Sequence, residues 1–192
     1  MKQPFLITGL PRSRTAWLTA AANTVPGALC THEESIEWDT WDQAFDVWGS
    51  ATHRYRGFSD SLLGLHLRPI MERARPRCLV VVREVDAVAD SLRRLLPGYP
   101  DPRRFLELLA RRLEDAIDEF GLPTIKFRDL GDSAKVALAL RGLMPGAAVD
   151  HGRVASLTHL NVQVDVRHTF NRIEARRDSI ATLLGADVVS AL

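Results

Sequence analysis

The run Cys78-Leu79-Val80-Val81-Val82 is apolar at every position and closed by charge on both sides, Arg77 before it and Arg83-Glu84 after it. A strand with no polar parity leaves neither sheet face fit for water, so both faces must be covered. The flanking sequence supplies the cover. Pro4 to Thr8 is a short β-prone run, the stretch Gly9-Leu-Pro-Arg-Ser-Arg-Thr15 breaks it, and Ala16 to Thr24 favours helix. A second strand fits Ala28 to His32 and a fourth fits Thr124 to Phe127. Helices are predicted over Asp86 to Leu95, over Asp101 to Phe120 with Pro at its second position and Gly121 just past its end, and over Ser133 to Leu143, closed by Pro145-Gly146. Strands alternating with helices predict an α/β fold, a parallel sheet of about four to five strands flanked by helices. No repeat, low-complexity tract or linker divides the chain, so residues 1–192 are expected to form a single domain. Residues 151–192 form its C-terminal tail or lid: Arg167 to Leu184 is predicted helical, and the alternation Val162 to Val166 suits a strand or an extended tail.

A chain of 192 residues, 46% hydrophobic and 26% charged, buries roughly 70% of its unfolded surface as one domain, so neither disulfides nor a structural metal is needed. A net charge of +1 argues against a nucleic-acid or membrane-surface partner, which calls for a concentrated positive stretch. Positive charge is nearly all arginine, the only lysines being Lys2, Lys126 and Lys135. Arginine is the better bidentate ligand for phosphate and sulfate, although GC-rich coding gives the same bias. Cys30 and Cys78 lie in or beside apolar runs without metal-ligand spacing, as expected of reduced, buried thiols in a cytoplasmic protein. The apolar Phe5 to Leu10 is too short for a signal-peptide core, and no stretch approaches a membrane span.

Ligands of open parallel sheets sit at the carboxyl ends of the strands. Three such junctions are polar here. In the first, Gly9 to Trp17, loop amides and the N-terminus of the next helix present N–H groups suited to an anion. A nucleotide-triphosphate loop, Gly-x-x-x-x-Gly-Lys-Ser/Thr, laid on this segment puts Arg14 at the second glycine, Thr15 at the lysine and Ala16 at the magnesium-binding hydroxyl. That reading loses its cation and its metal ligand. In the second junction Arg83 ends a strand and Ser91 follows eight residues on, within the next helix; both suit an anion, unless Arg83 pairs with Asp86 or Asp90. The third is Cys30-Thr31-His32-Glu33-Glu34. Extended residues alternate sides, so Glu33 is expected to face away from His32 and Glu34 as long as the strand continues.

The first loop resembles the 5′-phosphosulfate loop of the sulfotransferases, Pro-Lys/Arg-Ser-Gly-Thr-Thr/x-Trp/Leu, with Pro11, Arg12, Ser13, Thr15 and Trp17 in register. That family binds 3′-phosphoadenosine 5′-phosphosulfate (PAPS) without a metal. The spacing of Arg83 and Ser91 is similar to the family's 3′-phosphate site, and Cys30 to Glu34 resembles the Cys-x-Glu-Glu region of the tyrosylprotein branch, where a glutamate is the general base. Lys126 to Leu130 resembles the Tyr-Glu-Asp-Leu that ends the family's fourth strand, a packing feature. The chain thus resembles a small sulfotransferase-like protein of the bacterial or phage type with a P-loop NTPase-like fold. The resemblance implies transfer of a sulfuryl group from PAPS to a hydroxyl or amine on a small-molecule, peptide or sugar acceptor, with no metal. It implies cofactor contacts from Pro11, Arg12, Ser13, Arg14, Thr15, Ala16, Trp17, Arg83 and Ser91. Arg12 would be the catalytic cation, acting electrostatically because guanidinium keeps its proton, and Glu33 the base, with His32 and Glu34 as alternates.

Three departures stand beside the match. Arg14 replaces the loop glycine, so a left-handed backbone there costs roughly 1 kcal/mol or more. Val85 replaces a frequent proline, and the Lys/Arg-Gly-x-x-Gly segment that also holds the 3′-phosphate in the animal cytosolic enzymes has only His151-Gly-Arg153 as a nearest counterpart. Two other functions fit such a loop: a metal-dependent P-loop nucleotide or small-molecule kinase, and a non-catalytic nucleotide-binding protein. Between the second strand and Cys78, the residues Trp38, Trp41, Phe45 and Trp48 recur at helical spacing and read as core packing, while Gly57 to Ser61 reads as a loop bordering the pocket.

Overall fold

The computed structural model describes residues 3–98, 100–160, 162 and 165–184. Five parallel strands form one sheet: β1 (Gln3–Gly9), β2 (Ala28–His32), β3 (Tyr55–Ser59), β4 (Arg77–Val82) and β5 (Thr124–Lys126), in the order β2-β3-β1-β4-β5. β1 lies at the centre, paired with β3 on one side and β4 on the other. The chain runs outward to β2, returns through β3, and crosses over to β4 and β5. The direction of winding therefore reverses beside β1, and the loop after β1 opens at that switch point.

Side-chain alternation along β1 divides the core between the two faces. Phe5 and Ile7 pack with Leu79 and Val81 under α1 (Thr15–Ala22), α6 (Ser133–Leu143) and α7 (His151–Leu157). Leu6 packs with Phe58 and Val80 against the other layer, α2 (Asp42–Ser50), α3 (Leu67–Ala74), α4 (Val85–Leu95) and α5 (Arg103–Phe120). After α7 come α8 (Val166–Ala175) and α9 (Arg177–Leu184), which pack on the second layer through Phe170, Ile173 and the buried Ile180. Among the described residues no helix is long and apolar enough to cross a membrane.

The segment expected to be a loop, Gly57 to Ser61, is a correction: Gly57 to Ser59 complete β3, the strand that joins β1 to β2. Arg56 and Gly57 hide it from a hydropathy reading. All five β3 residues are buried, and the Arg56 guanidinium is satisfied in place by the Leu29 and Gly57 carbonyls, Thr31 Oγ1 and Glu34. The aromatic stripe also does not ride on one helix. Gln43 Oε1 accepts the Asp39 and Thr40 amides, α2 begins only at Asp42, and Trp38 and Trp41 lie before it. Packing brings the rings together regardless, with Trp38 edge-on to Phe58 at 5.0 Å and Trp48 5.1 Å from the same ring. Other shifts are local. Phe127 leaves the fourth predicted strand to start a short 3-10 helix, Phe127–Gly131, and Pro102 caps α5 instead of lying within it. Of the alternation at 162–166, Gln163 and Val164 lie outside the described residues and Val166 begins α8.

Gly57 occupies a position that admits no side chain, because a Cβ there would sit 2.2 Å from the ring of Phe5, which is fully buried. Neither ring nor strand has room to retreat, and overpacking of this kind costs about 1–3 kcal/mol. Gly57→Ala is expected to lower stability by about that amount, read as a reduced midpoint in chemical denaturation with an unchanged slope.

Candidate functional site

The loop from β1 to α1 carries two non-glycine residues in the left-handed region, Arg12 at φ 64° and Arg14 at φ 60°. Arg14 is the N-cap of α1 yet makes no side-chain capping bond, so the first-turn amides of the helix stay available. Left-handed residues within a turn gather successive N–H groups into an anion-binding concavity. Each costs about 1–2 kcal/mol for a non-glycine residue, and two bonds hold the loop against that cost. The Arg83 guanidinium donates to the Arg12 carbonyl, and Ser59 Oγ, at the end of β3, donates to the Thr15 carbonyl at 2.9 Å.

That loop forms one wall of a cavity of about 270 Å³. Of the predicted loop residues, Pro11, Arg12, Arg14, Thr15, Ala16 and Trp17 line it. Ser13 does not. Set between two left-handed residues it turns inward and is fully buried, its hydroxyl without a hydrogen-bond partner. Trp17 is almost wholly enclosed and anchored by its indole N–H to the Leu157 carbonyl at 2.8 Å. Arg83, just beyond β4, and Ser91, in α4, line the same cavity. The acidic neighbours that might have taken Arg83 are engaged elsewhere, Asp86 with Arg103 and Asp90 with Arg93, both at 2.6 Å. Instead the Arg83 guanidinium lies 3.9 Å from the centre of the Phe127 ring, with Arg14 6.0 Å from that ring.

Among the described residues, Arg12, Arg14 and Arg83 have no carboxylate partner. Burial lowers the pKa of Arg12 and Arg83, and for Arg83 the nearby charges of Arg12, Arg94 and Arg14 push the same way. Guanidiniums gathered on one cavity without carboxylate partners suit polyanionic charge. Arg12, which lines the cavity, has a buried Nε without a partner. That orphaned donor fits a phosphosulfate group, which offers only acceptors.

The opposite wall is carboxylate. β2 ends at His32, and Glu33 takes a left-handed conformation, φ 51° and ψ 37°, before the 3-10 helix Glu34–Glu37. The strand ends at His32, as its expected bounds have it, so the alternation does not reach Glu33: His32 and Glu33 line the cavity together and Glu34 turns away. Glu34 is paired with Arg56 at 2.8 Å and accepts the Thr31 hydroxyl. Glu33 has His32 Nε2 at 3.5 Å and accepts a hydrogen bond from Thr169 of α8 at 3.2 Å. Burial raises its carboxyl above the usual range, with His32 pulling it down and the fully buried Asp60 pushing it up. Asp60 itself accepts amides from Ser35, Leu62 and Leu63, and burial raises its pKa as well.

Several lining residues went unnoticed in the sequence. Phe127 belongs to a segment that resembles a packing feature, yet it is the wall on which Arg83 rests. Asp60 and Ser61, the end of the segment expected to border the pocket, do line it, although the residues before them are strand. Thr169, Phe170 and Ile173 come from the C-terminal region and carry no local motif. The weak counterpart segment His151 to Arg153 opens α7, His151 bonding Ser133 at 2.8 Å, and none of its residues lines the cavity. No group of three or more His, Cys, Asp and Glu side chains suited to a metal occurs among the described residues.

Neither a protein-family model nor a curated protein sequence matches the chain. Solved structures do. A sulfotransferase from Alicyclobacillus acidocaldarius is similar over 96% of both chains, with a TM-score of 0.52 and 14% identity. The mouse sulfotransferase SULT7A1 complexed with PAP is similar over 90% of this chain, with a TM-score of 0.50 and 14% identity, and this chain spans 65% of the mouse protein's length. At this identity the likeness speaks for architecture, and the chain has the α/β, P-loop NTPase-like fold of the sulfotransferases.

Proposed function

We propose that the protein is a sulfotransferase that moves a sulfuryl group from PAPS to a hydroxyl or amine acceptor. The observation that carries this reading is the convergence of two cationic sites, Arg12 with Arg14 and Arg83 with Ser91, on one cavity whose opposite wall holds Glu33. Two anion sites on one cavity suit a ligand phosphorylated at both ends of its ribose. The likeness to a mouse sulfotransferase complexed with PAP supports the same donor class.

When bound, the donor supplies a sulfur whose bond to the 5′-phosphate oxygen breaks as the acceptor oxygen or nitrogen bonds to it. The residues of the chain divide the remaining work. The amides of the loop and of the first turn of α1, with the guanidiniums of Arg12 and Arg14, hold the 5′ end, and Arg83 and Ser91 hold the 3′ end. Arg12 opposes the charge that collects on the departing phosphate oxygen without giving up a proton. Glu33 takes the acceptor's proton. The His32 Nδ1–H donates to the Ser59 carbonyl at 2.8 Å, which leaves Nε2 directed at Glu33.

Equilibrium titration tests the donor class directly. With no metal added, 3′-phosphoadenosine 5′-phosphate is expected to bind more tightly than ATP; magnesium-dependent ATP turnover would replace this reading with the kinase one, and binding without sulfuryl transfer to any acceptor with the non-catalytic one.

In a transfer assay, Arg12→Ala is expected to lose about two to three orders of magnitude in kcat, while Arg12→Lys keeps a substantial part because the charge remains. Equal rates for Arg12→Ala and the parent protein would remove Arg12 from the reaction.

The pH profile carries a sign. Glu33 works only as the carboxylate, and burial raises its pKa, so kcat/KM should rise with pH through that raised value and fall as the carboxyl protonates below it. Glu33→Gln is expected to lose that acid limb together with about two to four orders of magnitude in rate. An acid limb unchanged in Glu33→Gln assigns the base elsewhere.

A further inference from the structure

The cavity does not end at its apolar side. A second cavity of about 440 Å³ opens between the start of α5 and the helices α8 and α9. It shares Pro11, Leu92, Phe105, Phe170 and Ile173 with the first, so the two meet across a common apolar wall. Beyond that wall the lining continues through Leu96, Pro100 and Pro102, and it becomes charged only at the far rim, at Arg93, Arg104 and Arg177 with Asp101 and Glu174.

We propose that the two cavities act as one trough for the acceptor, and that the acceptor is an amphiphile. Its hydroxyl lies at Glu33, its apolar body crosses Phe105, Phe170 and Ile173, and an acidic group ends at the arginine rim. The hydroxyl end rests on the sulfotransferase reading above; the body and the acidic end rest on the second cavity alone. A sugar would bring several hydroxyls onto side chains that offer no hydrogen bond and would lose water without replacement. Methylene groups gain on the same wall.

The far rim selects for negative charge through one residue in particular. Arg93 is committed to Asp90 at 2.6 Å and to Asp101 at 3.3 Å, and Arg177 has Glu174 at 3.7 Å. Arg104 lines the trough with no carboxylate partner among the described residues. An acidic ligand end supplies what that guanidinium lacks.

The test uses calorimetric titration of the full chain with three probes: 10-hydroxydecanoate, the neutral 1,10-decanediol, and cellobiose. Each is run with and without saturating 3′-phosphoadenosine 5′-phosphate. The hydroxy acid is expected to bind about three- to ten-fold more tightly than the diol at low salt, an advantage that fades as salt screens the exposed rim. Arg104→Glu, a surface change, should abolish the advantage and leave the diol unaffected, and Ile173→Asn should weaken both. Equal affinity of the parent protein for acid and diol, an advantage that survives Arg104→Glu, or a preference for cellobiose overturns the proposal. If the acid binds as expected while the adenosine bisphosphate does not bind at all, the trough stands and the donor reading falls. If the bisphosphate binds and the acid does not, the trough alone is overturned.

Discussion

The site depends on a backbone that its own residues disfavour. Arg12 and Arg14 are both left-handed, and glycine would hold either position without the steric cost that a Cβ brings. The loop keeps this shape because its carbonyls are taken from two directions, Arg12 by Arg83 and Thr15 by Ser59. Both donors stand at the carboxyl ends of strands that flank β1, so the sheet itself sets the loop. Arginine at both positions also brings positive charge to the cavity that the loop lines. Strain of this kind survives where the surroundings over-determine it, and it is found at sites that must be preorganised.

The same economy governs the carboxylates. Glu33 and Glu34 are neighbours with opposite assignments, and the left-handed turn at Glu33 separates them. Glu34 is sequestered by the buried Arg56, whose remaining donors are met by backbone carbonyls and Thr31. That arrangement satisfies a charge inside a central strand, where an unpaired guanidinium would be costly. Glu33 is left facing the cavity with His32 and Thr169, among the described residues, as its polar neighbours within bonding or ion-pair range, and burial rather than pairing dominates its acidity.

What the sequence disclosed follows from the range of each interaction. The Cys78–Val82 strand, the helix after it and the loop between Gly9 and Trp17 are local signals, written in periodicity and in residue types that break it, and they placed the cationic side of the site. β3 escaped because its burial is tertiary: Arg56 is satisfied only once β2 and Glu34 lie beside it, and Gly57 is required only because the Phe5 ring lies over it. The alternation at Glu33 does not apply because β2 ends at His32, where its pairing with β3 ends at Ser59. Thr169, Phe170 and Ile173 reach the cavity across more than a hundred residues of chain, and no window of sequence records such a contact.

The C-terminal region shows how this fold can keep a site while redistributing its walls. His151 to Arg153 lie outside the cavity, and Arg83 and Ser91 line it with the charge of Arg94 adjacent. The C-terminal helices are spent on the other side. Arg172 and Arg176 of α8 and its end reach Glu37 and Asp39, Trp41 donates to the Leu183 carbonyl, and Ile180 enters the core. The exposed ion pairs contribute little individually, so it is the buried contacts of Ile180 and the partly buried Phe170 and Ile173 that seat the helices on the second core layer. Their placement makes the region beside Glu33 a product of long-range packing, whereas the anion-facing loop is a product of local sequence. Substitutions in α8 should therefore alter what meets Glu33 without altering the geometry that Arg83 and Ser59 impose on the loop, because the two walls share a cavity but are held by different contacts.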